Sequence, residues 1–254
     1  MASFLYRMPS GIPGAISRSQ APTNIEPNII LSTNPPTVYG VPVAVDASTG
    51  HVRPIGAGDT SALIYGFNVR PFPTQSGNTL GVSTPPTSGE TDVLKLGYMT
   101  VKSTNGTPSK NGPVYVRVTA NGALPNTAVG DVEAAADTPA PIGTPGTNTG
   151  NGTIGSLSAT AATPAGNWRV VFTGATTFGV FDPSGFERAN GTTGTAYTSS
   201  DGVSFTITAG ATAFAAGDSF TIAVSQNTVK VPGAYFTGAA DSNGNAEIAY
   251  NIGA

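Results

Sequence analysis

Prolines and glycines interrupt this sequence at short intervals, and this is the strongest constraint on its fold. The 254 residues include 33 glycines and 21 prolines. A proline inside a helix removes a backbone hydrogen bond and clashes with the preceding turn. Apolar residues do not recur at helical spacing over any long stretch, and threonine, serine and asparagine fill many of the remaining positions. The chain is therefore predicted to be all-β.

Short strand-like runs begin after residue 37. The strongest cover residues 38–45, 62–69, 93–101 and 114–118. In the last run, Val114, Val116 and Val118 share one face, while Tyr115 and Arg117 share a face predicted to be solvated. Pro42 within the first run predicts an edge strand. We expect residues 38–137 to form a domain resembling a β-barrel or jelly roll, which residues 227–254 re-enter.

The composition changes after Asp137. Residues 138–152 are so rich in proline, glycine and threonine that they predict a linker. Alternating apolar residues in 153–226 then predict a second domain, an inserted β-sandwich of the immunoglobulin-like class, with Trp168 as its core anchor. Three inward-facing sets are predicted: Trp168, Val170 and Phe172; Val203, Phe205 and Ile207; and Phe220, Ile222 and Val224.

The first 37 residues combine prolines with apolar side chains. Prolines oppose a helix, yet a disordered tail would not need so many apolar groups. We interpret residues 1–37 as an extended arm that docks on its own domain or on a neighbouring subunit. A terminal strand with loops, packed only on its own domain, is the alternative. The residues predicted to contact a partner are Phe4, Leu5, Tyr6, Arg7, Met8, Ile12 and Arg18.

Charge and composition argue against several functions. With 11 basic and 14 acidic residues, the net charge of −3 does not favour binding to nucleic acid or to an anionic membrane. The absence of cysteine excludes disulfides and thiolate metal sites. No apolar run approaches the length of a membrane span, and no signal-peptide core follows Met1. We therefore expect a soluble protein made in the cytoplasm.

Catalytic groups are sparse. The single histidine, His51, lies in a predicted polar turn, and no nucleophile elbow accompanies it. Asp241 begins a stretch resembling a calcium loop, but position twelve would be Ile252, which offers no carboxylate. Asp241 and Glu247 flank a predicted hairpin turn at Asn243 and are better explained as solvated charges than as an acid–base pair. We expect no enzymatic activity, cofactor or metal.

Several phrases resemble the capsid cement, or head decoration, proteins of tailed phages. They are Ser17-Arg18 and the stretches YGVPVAV (39–45), YGFNVRPFPTQ (65–75), LGYMTVK (96–102), VPGAYFTG (231–238) and NAEIAYNI (245–252). Between them, PAGNW (164–168), FGVFDPSG (178–185) and AGATAFAAGDSF (209–220) resemble a β module of phage structural proteins. The chain thus departs from the simplest family pattern by carrying a second domain inside the first.

The resemblance implies a structural role. Copies would bind the outside of a mature icosahedral shell, contact the major capsid protein, bridge neighbouring subunits, and often form trimers. It also implies synthesis in the cytoplasm of a host bacterium. From the predicted linker and the separate apolar sets, we further predict that residues 38–137 and 227–254 bind the capsid and that residues 153–226 project from it. A secreted carbohydrate-binding or adhesin module is the competing hypothesis, although a single tryptophan, Trp168, offers little for stacking on sugars.

Overall fold

The computed structural model describes residues 11–18, 21–71 and 84–251. Within these residues it contains seventeen strands and one 3-10 turn, at Ser61–Leu63. The strands are β1 (Asn24–Ile29), β2 (Pro42–Val45), β3 (Val52–Pro54), β4 (Ile64–Asn68), β5 (Glu90–Lys102), β6 (Pro113–Arg117), β7 (Val132–Glu133), β8 (Ile142–Pro145), β9 (Thr153–Ser158), β10 (Gly166–Phe172), β11 (Thr177–Phe181), β12 (Gly191–Thr192), β13 (Ala196–Thr198), β14 (Ser204–Thr208), β15 (Ser219–Val224), β16 (Thr228–Phe236) and β17 (Asn245–Asn251). The all-β prediction is confirmed.

The chain divides into two compact units. The first unit comprises residues 1–136 and 228–254, and the second unit comprises residues 137–227. In the first unit, nine antiparallel strands form one sheet in the order β3-β2-β4-β5-β17-β16-β6-β7, and β1 also pairs with β5. The last two strands, β16 and β17, thus lie in the middle of a sheet whose other strands come from the N-terminal part of the unit.

The sheet of the first unit curls around one core. Phe67 on β4, Val116 on β6 and Phe236 on β16 are all buried in the same cluster, although they come from distant parts of the sheet. The backbone N–H of Gly58 also donates to the carbonyl of Val118 at 2.9 Å. Strand alternation directs these side chains to one face, so curling the sheet removes that face from water.

Two details of the first sheet differ from the sequence predictions. Pro42 begins β2, which lies between β3 and β4 and is therefore not an edge strand. A first strand position tolerates proline because its missing N–H costs little there. Arg117 does not face water: its side chain and that of Glu133 are both 0% exposed and form an ion pair.

The described part of the predicted arm lies against its own unit. Gly14 N–H donates to the Thr100 carbonyl at 2.8 Å, and Ser17 N–H donates to the Tyr98 carbonyl at 3.1 Å. Further along, β1 pairs with the first half of β5. Residues 14–17 and 24–29 therefore follow β5 as a bulged edge, which is compatible both with an arm docked on its own domain and with a terminal strand with loops.

The second unit consists of two antiparallel sheets around one aromatic core. A five-stranded sheet has the order β12-β11-β10-β15-β8, and a three-stranded sheet has the order β13-β14-β9. All nine residues predicted to face inward are buried. Trp168 is 0% exposed, and its indole N–H donates to the Pro164 carbonyl at 3.1 Å, which confirms it as the core anchor.

The predicted linker at 138–152 is wrong. Within it, Ile142–Pro145 forms β8, which pairs with β15, and Asn148 exchanges hydrogen bonds with the backbone of Ser219. The backbone N–H groups of Thr149 and Gly150 donate to the Asp218 carboxylate, each at 2.9 Å. A segment rich in proline and glycine can thus be ordered when a neighbouring strand and a carboxylate satisfy its backbone.

Candidate functional site

Four neighbouring strands of the first sheet carry a row of outward-facing residues. The strand register aligns Tyr98 on β5 with Ala249 on β17, Ala249 with Tyr235 on β16, and Tyr235 with Pro113 on β6. Their chain neighbours Met99, Ile248, Phe236 and Val114 are buried in the core. Because successive side chains alternate between faces, the row lies on the outer face.

This row forms a groove of 710 Å³, which we call the tyrosine groove. Tyr98, Tyr115, Tyr235 and Tyr250 contribute to its walls, and Pro22 from the N-terminal segment closes one side. Tyr235 is 42% exposed, whereas Tyr250 is almost wholly buried, and burial raises its pKa to about 12. The volume lies within the range typical of ligand-binding pockets.

Small residues make the groove deep. Gly97, Gly233 and Ala249 line it between the tyrosines. Gly233 has φ +68°, and a Cβ added there would lie 1.9 Å from the carbonyl oxygen of Asn251. Only glycine allows β16 this backbone conformation and this close approach to Asn251.

The tyrosine groove carries positive charge and no negative charge among its described lining residues. Lys230 is the one charged side chain among the described residues that line it, and its β6 neighbour in the strand register is Tyr115. Lys230 is exposed, and none of the described residues forms an ion pair with it. The groove therefore combines aromatic rings with a single positive charge.

Arg18 lies beside the groove and binds within its own unit. Its guanidinium stacks 4.2 Å from the ring centroid of Tyr98 and forms a 2.5 Å ion pair with Glu247. Ser17 and Thr237 also donate to the Glu247 carboxylate, at 2.7 and 2.6 Å. Burial alone would raise the pKa of Glu247, but these hydrogen bonds outweigh it and hold that pKa below its usual value. Arg18 thus fastens the N-terminal segment to the sheet.

The structure describes two of the seven residues predicted to contact a partner. Ile12 is 54% exposed, and Arg18 is half exposed despite its ion pair. Phe4, Leu5, Tyr6, Arg7 and Met8 lie outside the described residues. A Cβ added at Gly11, the first described residue, would lie 3.0 Å from the Thr100 hydroxyl on β5, next to the outer-face row. The role of these seven residues toward a partner stays a prediction.

The second unit carries a different groove. A cleft of 570 Å³ is lined by uncharged residues, which include Thr173, Thr177, Asn190 and Thr195. Tyr197 also lines it, and its hydroxyl is buried with no hydrogen-bond partner among the described residues. This cleft therefore offers hydroxyl and amide groups, whereas the tyrosine groove offers rings and a cation.

The residues considered for catalysis or metal binding lie in turns and loops or form an ion pair. Asp241 accepts hydrogen bonds from the backbone N–H groups of Asn243 and Asn245 and so caps the hairpin turn. Glu247 binds Arg18, and His51 ends the loop between β2 and β3, in which Asp46 accepts four hydrogen bonds from Ser48 and Thr49. Within the described ranges, no three metal-ligating side chains cluster, and no helix is long and apolar enough to span a membrane.

Comparison with known proteins identifies the class of this chain. A family model described as the XM1 gp53 minor capsid protein matches residues 1–250, almost the whole chain. The protein is therefore a phage capsid protein with a structural role in the virion. More particularly, it belongs to the XM1 gp53 minor capsid protein family. The sequence-based expectation of a phage structural protein is confirmed at this level, while the finer assignment to cement proteins stays a prediction.

Other comparisons are less extensive. No curated protein sequence matches the chain. Among solved structures, FlgL of Xanthomonas campestris matches in two crystal forms, with 25% and 27% sequence identity and TM-scores of 0.28 and 0.29. The matches cover 47% and 42% of this chain and 30% and 38% of the FlgL chains, so the chain spans about a third of their length.

Proposed function

We propose that this protein binds the outer surface of an icosahedral phage capsid and bridges neighbouring capsid subunits, which stabilises the mature head. Membership of a minor capsid protein family supports a place on the shell. The observation that carries the proposal is the tyrosine groove. Exposed aromatic residues gathered around a concave surface are typical of interfaces, because each ring buries a large area at a small entropic cost.

Bridging requires at least two contacts for each copy or an oligomer. The first unit offers the tyrosine groove and the exposed Ile12, which we propose as part of a second contact. A copy held at two places resists separation of the subunits beneath it, because both contacts must break together. Copies assembled as trimers would multiply the contacts further. This role requires no catalytic group, cofactor or nucleic acid.

The test uses shells of the phage that lack this protein. Added full-length protein should saturate the outer surface and raise the melting temperature of the shells. A variant lacking residues 2–10, which keeps all the described residues that pack along β5, should show lower occupancy. Circular dichroism and the oligomeric state provide the control that it remains folded. Shells that bind no protein, or that bind it without melting higher, would contradict the proposal.

A further inference from the structure

The spacing of Tyr98 and Tyr235 bears on what the tyrosine groove can hold. Tyr98 and Tyr235 lie on strands separated by one intervening strand, β17. Two strand spacings amount to about 9.5 Å between backbones, and the rings reduce the free width further. A helix with its side chains is about 10–12 Å across. The shape of the groove therefore favours an extended segment.

The walls of the groove match the chemistry of an extended chain. Its rings offer apolar contact, whereas Gly97 and Gly233 leave the backbone near the surface. Asn111 also lines the groove, on a turn where this residue has φ +62°. An extended segment keeps its own N–H and C=O groups unpaired, so polar groups between the rings can satisfy them.

The charge of the groove selects among extended segments. Lys230 supplies a positive charge, and no carboxylate stands among the described lining residues. A cation without a partner at an interface attracts a carboxylate and disfavours another cation. The first ten residues of this chain contain Arg7 and no acidic residue, so they do not complement Lys230.

We propose that the tyrosine groove binds an extended apolar segment of a capsid subunit, with a carboxylate of that segment placed at Lys230. This inference rests on the proposed function, because it names the partner chemistry of the same surface. The apolar side chains of the segment pack between Tyr98 and Tyr235, and Lys230 fixes its register. Occupation by a second copy or by residues 1–10 is the competing outcome.

Binding to purified shells that lack this protein tests the proposal. Tyr235→Ala should weaken binding by about tenfold or more, as expected for a central aromatic anchor. Tyr235→Phe keeps the ring and should bind within about threefold of the unmodified protein. The matched control is Phe186→Ala in the second unit. It removes a 69% exposed ring that does not line the groove, so it should not change binding. Circular dichroism verifies that each variant is folded.

The charge is tested by a matched pair of reversals. Lys230→Glu and Lys102→Glu change the net charge equally, but Lys102 does not line the groove. Lys230→Glu should weaken binding by about tenfold more than Lys102→Glu at low salt, and this gap should narrow at high salt. Equal effects of the two reversals would overturn the placement of a carboxylate at Lys230.

Photo-crosslinking identifies the occupant. A photoreactive phenylalanine analogue replaces Tyr235 in the full chain, which is bound to the shells and irradiated. The expected product joins position 235 to a capsid-subunit peptide that contains an aspartate or glutamate. A crosslink to residues 1–10 or to a second copy would overturn the inference. Shell binding that all groove variants retain would overturn it while leaving the proposed function standing, whereas unmodified protein that fails to bind shells overturns both.

Discussion

The two units place their aromatic side chains in opposite ways. In the second unit, Phe172 stacks on Phe214 with ring centroids 4.0 Å apart, and Phe178 packs against Phe205 at 5.8 Å. In the first unit, Phe67 and Tyr250 form a ring pair in the core, but Tyr98, Tyr115 and Tyr235 line a surface groove. The second unit thus uses its rings mainly for stability, whereas the first unit leaves several available for recognition.

The units also differ in what they bury besides apolar groups. The first unit buries the Arg117–Glu133 pair, in which Arg117 Nε donates to Glu133 at 2.5 Å and Asn105 donates to the same carboxylate at 2.9 Å. In the second unit, buried Asp218 accepts backbone N–H groups and so orders two loops. A paired charge inside a core costs desolvation, so the first unit depends more strongly on complete pairing.

The largest expected contrast between the two units comes from expressing residues 137–227 alone. We expect this fragment to unfold in one cooperative transition, because its two sheets enclose a complete aromatic core. Trp168, the only tryptophan of the chain, reports that transition through its fluorescence. The fragment should not occupy phage shells. A gradual transition, or shell binding equal to that of the full chain, would remove this distinction between the units.

The next largest effect is the loss of stability expected from Arg117→Ala. This change leaves Glu133 buried without its cation and should lower the free energy of unfolding of the first unit by about 3–5 kcal/mol. Denaturation followed by circular dichroism measures the loss, while Trp168 fluorescence should change little because it reports the second unit. Arg169→Ala, at an exposed arginine, is the control and should cost less than about 0.5 kcal/mol.

The double variant Arg117→Met with Glu133→Leu sharpens that comparison. It removes both charges and fills the space with apolar groups, so it should recover most of the lost stability. A double variant as unstable as Arg117→Ala would show that packing, rather than the unpaired charge, causes the loss. A matching shift in Trp168 fluorescence would show that the units unfold together.

The smallest effect is expected at the ion pair that fastens the N-terminal segment. The hydrogen bonds from Arg18, Thr237 and Ser17 hold the folded-state pKa of Glu247 below its usual value. The stabilisation is therefore complete above the unfolded-state pKa and is lost as the pH falls through the folded-state value. Glu247→Gln should cost about 0.2–1 kcal/mol at pH 7, since half of Arg18 is exposed, and less at pH 3.

Hydrogen exchange measures this effect locally. The amides of Gly14 and Ser17, which donate to β5, should exchange faster in Glu247→Gln at pH 7. The control is Glu90→Gln, which changes an exposed carboxylate on the same sheet. Protection that is equally lost at pH 7 and pH 3 would contradict an electrostatic origin.

Local alternation predicted the faces of strands well. The inward positions of β10, β14 and β15 follow from period-two patterning, because each strand has one face toward a core. The same patterning was wrong about Arg117, since it identifies a face without identifying what covers that face. The partner Glu133 lies on a two-residue strand that has no pattern of its own.

The pairing of strands that are distant along the chain could not be predicted from the sequence. Residues 142–145 have the composition of a linker, and only their pairing with β15 makes them a strand. The tyrosine groove was likewise not predicted, because Tyr98 and Tyr235 become neighbours through the register of β17. The alternation of Tyr115 with three valines was the one local signal that an aromatic ring lies on the outer face.

The length of β5 has a mechanical consequence. Residues 14–17 are hydrogen-bonded to one edge of its second half, and β17 pairs with the other edge of that half in the same chain direction. A tensile load applied between residue 11 and residue 251 would therefore pull these two segments in opposite senses along the strand axis. Every cross-strand hydrogen bond would be strained at once in shear, and none could be unzipped singly. Such a clamp would suit the bridging role proposed above, in which neighbouring capsid subunits would pull on the protein.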